Sequence, residues 1–166
     1  MALERANLDE YKKQYTEAIA HYRAGRFDEA FPLFKTLAEQ GRAEAQFYLG
    51  LCYDCGYGAA EDAAKAAEWY AKAAGQGNSD AQYEIGLCYY TGGGVETDVT
   101  KAAEWFSKSA EQGNREAQLL LGDCYYDGEG VEQDTAKAAE WWRKSAEQGD
   151  EYAQERLYEL KNKGNV

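Results

Sequence analysis

Apolar positions along this chain recur at helical spacing. At 100° per residue, Ala45, Gln46, Leu49, Cys52 and Tyr53 fall on one arc, with Gly50 at its edge. A second stretch, Lys65 to Ala74, is Ala-rich and strongly helix-forming, and it sets Glu68 and Lys72 four apart. Nothing alternates with period two, so neither strands nor a propeller are expected. The same pair of patterns then returns twice. Trp69, Trp105 and Trp141 are each 36 residues apart, as are Gly50, Gly86 and Gly122, and Cys52, Cys88 and Cys124. Across blocks 42–77, 78–113 and 114–149, seventeen of the thirty-six columns are identical in all three. A period of that size, with two helical patterns per block, predicts an all-α solenoid of stacked helix-turn-helix units.

The residues between the helices fit this reading. Gly92-Gly93-Gly94-Val95 and Gly128-Glu129-Gly130-Val131 form the turn inside a hairpin, with the Val tucked beneath it. Asp98 and Asp134 stand where the second helix should start and suit an N-cap. Gln76-Gly77, Gln112-Gly113 and Gln148-Gly149 end it with a C′ glycine. Upstream, residues 1–41 read as the same hairpin with a shorter turn around Gly25, and Pro32 is expected in the first turn of its second helix. Downstream, Glu151–Lys161 copies only the first helix and puts Tyr158 in the glycine column, as a polar closing helix would. Nine helices are expected in a single domain, as four hairpins and a cap spanning 150–166.

Three motifs carry a resemblance. Ala81-Gln82 with Ile85-Gly86, then Gly92-x-Gly94-Val95 with Asp98, then Lys101–Trp105, all recur at the common period. The chain resembles the Sel-1-like repeat family, a branch of the tetratricopeptide-like helical solenoids, over residues 42–149. Tyr22, Gly25, Ala30 and Phe34 make the N-terminal hairpin similar to an ordinary tetratricopeptide unit. The resemblance implies a right-handed superhelix that serves as a protein- or peptide-binding adaptor without chemistry of its own. A secreted bacterial branch carries disulfide pairs a few residues apart and is linked to penicillin binding. This chain lacks such pairs, so that hydrolase-like activity is only a remote alternative.

Composition narrows the function classes further. Lys+Arg 18 against Asp+Glu 30 gives a formal net charge of −12, which repels phosphate backbones and anionic lipid. Neither nucleic acid nor a membrane is expected as a partner. No apolar run is long enough to span a bilayer, and residues 1–10 lack a secretory core, so a complete chain would be expected to stay in the cytoplasm.

Each candidate for chemistry has a structural alternative. With one His in the chain, His21 lacks a neighbouring nucleophile motif and reads as a solvated or half-buried helix residue. Cys52, Cys88 and Cys124 share a buried column. Stacked helices lie ~8–10 Å apart, beyond the ~7 Å a disulfide tolerates, so small apolar filler is favoured over a thiol ladder or soft-metal site. Cys52-x-x-Cys55 has no second pair to complete a zinc site, and Cys55, on a less buried arc, is the thiol expected to react. Asp127–Asp134 has a calcium-loop flavour but lacks the alternating oxygens and the terminal Glu, so it reads as a turn. The glycine runs have no following Gly-Lys-Ser/Thr to cradle phosphate. No cofactor, metal or catalytic residue is assigned.

Two aromatic columns stand side by side in the second helices: Trp69, Trp105, Trp141, and Tyr70, Phe106, Trp142. One should fill the hairpin core and the other the joint between repeats, with Trp142 expected to be partly exposed. What remains is the first-helix arc opposite the packed stripe. It reads Glu44, Phe47, Tyr48, Leu51, Asp54; then Asp80, Tyr83, Glu84, Leu87, Tyr90; then Glu116, Leu119, Leu120, Asp123, Tyr126. In a tetratricopeptide-like superhelix this arc lines the concave side. Apolar groups mixed with carboxylates, and no basic residue, predict a trough for a segment with apolar anchors and Lys or Arg. Packing between repeats is the competing use of these residues, and self-association into a homo-oligomer is the competing function.

Overall fold

Each of the last three hairpins is closed at its turn by one Asp, which holds both helices at once, whereas the second helix of the first hairpin starts at Arg26 with no side-chain cap. A computed structural model describes residues 2–162 and 164, with side chains from Leu8. In it the backbone N–H groups of Asp62, Asp98 and Asp134 each donate to a first-helix tyrosine carbonyl at 2.8 Å. Their carboxylates accept from the N–H of Lys65, Lys101 and Lys137 at 3.0 Å, capping the second helix. The same lysines return an ammonium to the carboxylate and lie 5.2–5.3 Å from the ring of Tyr53, Tyr89 or Tyr125. Hydrogen bonds from Lys65, Lys101 and Lys137 hold these Asp carboxyls below the usual range. Three invariant columns thus make one turn clamp.

Nine helices form among the described residues: α1 Ala2–Arg23, α2 Phe27–Glu39, α3 Ala43–Cys55, α4 Ala63–Gly75, α5 Ser79–Thr91, α6 Val99–Glu111, α7 Arg115–Asp127, α8 Thr135–Glu147 and α9 Glu151–Asn162. The helices divide into two compact units, residues 1–78 and 79–166. In the first, α1 to α3 pack around Ala30, Phe34, Leu37, Leu49 and Cys52. Phe34 stacks on Tyr48 at 4.9 Å, Phe27 stacks on Tyr57 at 3.9 Å, and Tyr22 lies edge-on to all four rings. In the second, one core lies between α6 and α7 around Phe106 and Leu121, and another between α8 and α9 around Trp142 and Leu160.

Inside each of the last three hairpins a ring rests on a glycine. A Cβ built at Gly50 would stand 2.6 Å from Tyr70, and one at Gly86 would stand 2.6 Å from Phe106; Gly122 faces Trp142 more tightly still. Two sequence expectations are corrected here. Trp142 is only 1% exposed, because it belongs to the column that covers the glycine. Its neighbours Trp69 and Trp141 instead pack against the cores of the preceding helices, with Lys72 and Lys144 over their rings at 3.9 and 3.7 Å. Pro32 lies in the second turn of α2, not the first, because the tight Gly25-Arg26 turn lets the helix begin at Phe27. Its ring therefore costs the bond to the Asp28 carbonyl, on a face where Pro32 is exposed.

The buried glutamines join one hairpin to the next. Gln118 donates to the Ala110 carbonyl of the preceding second helix at 3.1 Å and accepts from Gln148 of its own at 2.8 Å. Gln46 does the same between Ala38 and Gln76, at 3.2 and 2.7 Å. A polar group that is 5% exposed is thereby satisfied on both sides.

The two glycine environments predict opposite outcomes for one substitution. Gly86→Ala drives a methyl into a buried ring and should destabilise the chain by about 1–3 kcal/mol. Gly75→Ala, at the open end of α4 with nothing within 4 Å, should stabilise it by up to about 1 kcal/mol. Urea unfolding followed by circular dichroism checks both.

Candidate interaction face

The first helix of each hairpin buries the stripe typified by Ala45, Gln46, Leu49 and Cys52, which leaves the opposite arc to be placed. On α3 the five residues divide. Tyr48 turns into the α1–α3 core, and Phe47 lies 6.1 Å from the Tyr70 ring. Leu51 is half-buried. Glu44 is exposed and accepts from the Tyr11 hydroxyl at 3.3 Å, while exposed Asp54 accepts from Tyr70 at 3.5 Å.

On α5 the arc divides in the same way, and on α7 all five of its residues are half-buried. Asp80 is exposed and accepts from Asn114 at 3.1 Å. Glu84 and Glu116 are partly exposed, the latter paired with Arg115 at 2.7 Å. Tyr83, Leu87 and Leu120 lean on the α6–α7 core with one side, and Leu119 and Tyr126 on the α8–α9 core. Tyr90 is 42% exposed and donates to Glu129 at 2.7 Å. That hydrogen bond, with burial adding to it, pushes the Tyr90 phenol up to about 12.

Asp123 is the exception in its row, and it faces α9. Its Oδ1 accepts from the Trp142 indole N–H at 3.1 Å and from Arg156 Nε at 3.1 Å. Burial raises the Asp123 carboxyl against the opposing pull of Arg156 and the indole. Two cavities meet at this pair. One, of about 260 Å³, lies between Leu119 and Asp123 of α7 and Tyr152, Glu155, Arg156 and Glu159 of α9. The other, of about 180 Å³, has Phe106, Leu120 and Cys124 as its floor and Tyr90, Asp127 and Glu129 beside them.

The α9 row was missed in the sequence, although its signal is plain. Adding the repeat step of 36 to Glu116, Leu119, Leu120 and Asp123 gives Tyr152, Glu155, Arg156 and Glu159. The closing helix thus contributes a fourth row to the face as well as ending the stack.

The other candidates take structural places. His21 is half-buried and accepts from Arg26 at 3.1 Å. The 127–134 stretch is the turn between α7 and α8, with Gly128 and Gly130 at positive φ. Burial pushes the Cys52 and Cys124 thiols up to about 12, whereas Cys55 is exposed. Among the described residues no helix is long and apolar enough to cross a membrane.

Paired helices, a glycine-faced hairpin core and a glutamine relay between successive hairpins define a helical-repeat solenoid. The Sel1 repeat profile matches residues 43–78, 79–114 and 115–150, and a tetratricopeptide repeat profile matches 15–54. The chain belongs to the Sel1 repeat family. It is similar to a Sel1 repeat protein from Oxalobacter formigenes, with 33% identity and a TM-score of 0.85 over 90% of this chain and 62% of that one. It is also similar to a protective antigen of uropathogenic Escherichia coli displaying an SLR fold, with 35% identity and a TM-score of 0.90 over 98% of this chain and 36% of that one. Cysteine-rich protein B of Helicobacter pylori shares the fold at 24% identity and a TM-score of 0.59, over 75% of this chain and 94% of its own. This chain therefore spans less than two thirds of the length of the first two. Repeats of this family generally mediate protein–protein interaction and act as non-catalytic scaffolds.

The cysteine environments predict an order of modification. Iodoacetamide at neutral pH should label Cys55 in the folded chain and reach Cys52 and Cys124 only on unfolding. Peptide mass spectrometry of timed samples checks this.

Proposed function

We propose that this chain is a non-enzymatic docking module whose first-helix face holds a basic, apolar-anchored peptide or protein segment. The observation that carries the reading is the recess of the second unit, where α5, α7 and α9 surround two cavities walled by Asp123 and Arg156. Five carboxylates (Asp123, Asp127, Glu129, Glu155 and Glu159) meet a single guanidinium there, over a floor of leucine and aromatic side chains. A segment with Lys or Arg beside an apolar residue complements both features. The charge of the whole chain acts in the same direction, since a net −12 speeds encounter with cationic partners.

Rigid helices present this face, so binding needs little ordering of the module itself. The residues proposed as the contact set on α5 and α7 are Asp80, Tyr83, Glu84, Leu87 and Tyr90, then Glu116, Leu119, Leu120, Asp123 and Tyr126. On α3, within the first unit, Glu44, Phe47, Leu51 and Asp54 are proposed to form a contact set of the same chemistry. Tyr48 supports it from beneath through its stack on Phe34.

Panning the intact chain against a random twelve-residue peptide library should enrich sequences with Lys or Arg next to aromatic or aliphatic residues. Tyr83→Ala combined with Tyr90→Ala should weaken the selected peptides about tenfold or more while leaving the helical circular dichroism unchanged. Selection of acidic or featureless peptides, or unchanged binding to the double variant, would overturn the assignment of the face.

A further inference from the structure

The repeat columns show where the recess departs from its own pattern. The column that holds Leu51 and Leu87 carries Asp123 in the third repeat, and the ring beneath it changes from Tyr70 and Phe106 to Trp142. A carboxylate has been set where the other repeats pack a leucine, and an indole N–H is supplied to meet it at 3.1 Å. The next row changes as well: Tyr48, Glu84 and Leu120 are followed on α9 by Arg156. The carboxylate thus departs from a leucine column, and the guanidinium that meets it stands in a column that differs in every row.

Two uses of this pair can be separated. Anchoring α9 is one, but the closing helix already has apolar anchors in Ala153 and Leu160, at 0% and 1% exposure. Asp150 also caps it, accepting from the Ala153 N–H at 3.0 Å. The Arg156 side chain is half-exposed and Asp123 about a quarter exposed, and an ion pair that wet is a weak fastening. Both bonds to Asp123 fall on Oδ1; its Oδ2 accepts from none of the described residues. Arg156 therefore satisfies half of a carboxylate at the mouth of a cavity that has two further carboxylates, Asp127 and Glu129.

We propose that the recess among α5, α7 and α9 is a slot for one arginine side chain of a bound peptide, with Arg156 standing in for it on Asp123 in the free chain. This rests on the docking reading above and specifies its central anchor. The aliphatic stem of the incoming arginine lies on Phe106 and Leu120, and the cavity of about 180 Å³ accommodates a single long side chain. Its planar fork reaches Asp123 and the Asp127–Glu129 rim, where the exposed Tyr90 ring offers a stacking face. A guanidinium suits this place better than an ammonium because it sheds water more readily and binds a carboxylate with two N–H groups. On binding, Arg156 swings toward Glu159, which already lies 4.0 Å from its Nη1. The slot is thus occupied by its own chain until a better-placed cation arrives.

The probe is N-acetyl-arginine amide, with the uncharged isostere N-acetyl-citrulline amide as its control. The readout is the indole N–H resonance of Trp142 in a nitrogen-15 correlation spectrum, assigned with Trp142→Phe. The arginine amide should shift that resonance saturably in the millimolar range, and the citrulline amide should not. Arg156→Gln should tighten the arginine amide at least threefold, and Asp127→Asn with Glu129→Gln, both exposed at the rim of the cavity, should weaken it at least threefold. Equal shifts with citrulline amide, no saturable shift with arginine amide, or an Arg156→Gln variant that binds no better would overturn the slot. Peptides from the library that bind both variants unchanged would also overturn the slot while leaving the docking reading intact. A library that yields no binder would sink the docking reading, and the arginine titration would still report on the slot separately.

Discussion

A ring seated on a glycine sets the spacing on which the three repeated hairpins depend. Gly50, Gly86 and Gly122 let Tyr70, Phe106 and Trp142 lie directly on the first helix, and each ring is nearly or wholly excluded from water. With the ring in that place, the stripe of Ala45, Leu49 and Cys52 must point the other way, toward the preceding hairpin. The opposite arc is then left over for recognition. One close contact thereby decides which residues of the first helix are core and which are face.

Between hairpins the same economy operates through hydrogen bonds. Gln46 and Gln118 each take the terminal carbonyl region of one second helix and the capping amide of the next, so both buried amides are partnered across the stack. Buried Ser109 and Ser145 add a hydroxyl bond from the second helix back to the start of the first, at 2.7 and 3.0 Å. These polar links carry no charge, and one hairpin is joined to the next within each unit without the desolvation cost of ions. The carboxylates are consequently free to collect on the outer arc and on the closing helix.

Much of this was legible in the repeated columns. Helix pairs, Asp caps, C′ glycines and the closing helix follow from local chemistry that acts within a few residues, and a threefold repeat displays it three times. What failed to show depends on contacts between distant residues. Trp141 and Trp142 are adjacent and equally apolar, so hydropathy cannot say which is covered; only the partner glycine twenty residues earlier decides it. Pro32 was misplaced because helix starts are set by the turn before them, and here that turn is only Ala24, Gly25 and Arg26. Arg156 was overlooked because α9 was read as an end rather than as a fourth row, and its role emerges only across the 33 residues that separate it from Asp123. The face was visible as a pattern of residue types, whereas the inward turn of Tyr48 and the recess around Asp123 needed the packed helices.

The turn glycines have an evolutionary corollary. The Gly130 backbone lies against the carbonyl of Val99 and Gly58 against that of Phe27, so each loop is fitted to the hairpin before it as well as to its own. An extra residue there would displace the Asp clamp and lift the loop from its seat. Length variation among descendants of such a chain should therefore come in multiples of a full module, by duplication or loss of gene segments encoding whole hairpins, rather than by small insertions.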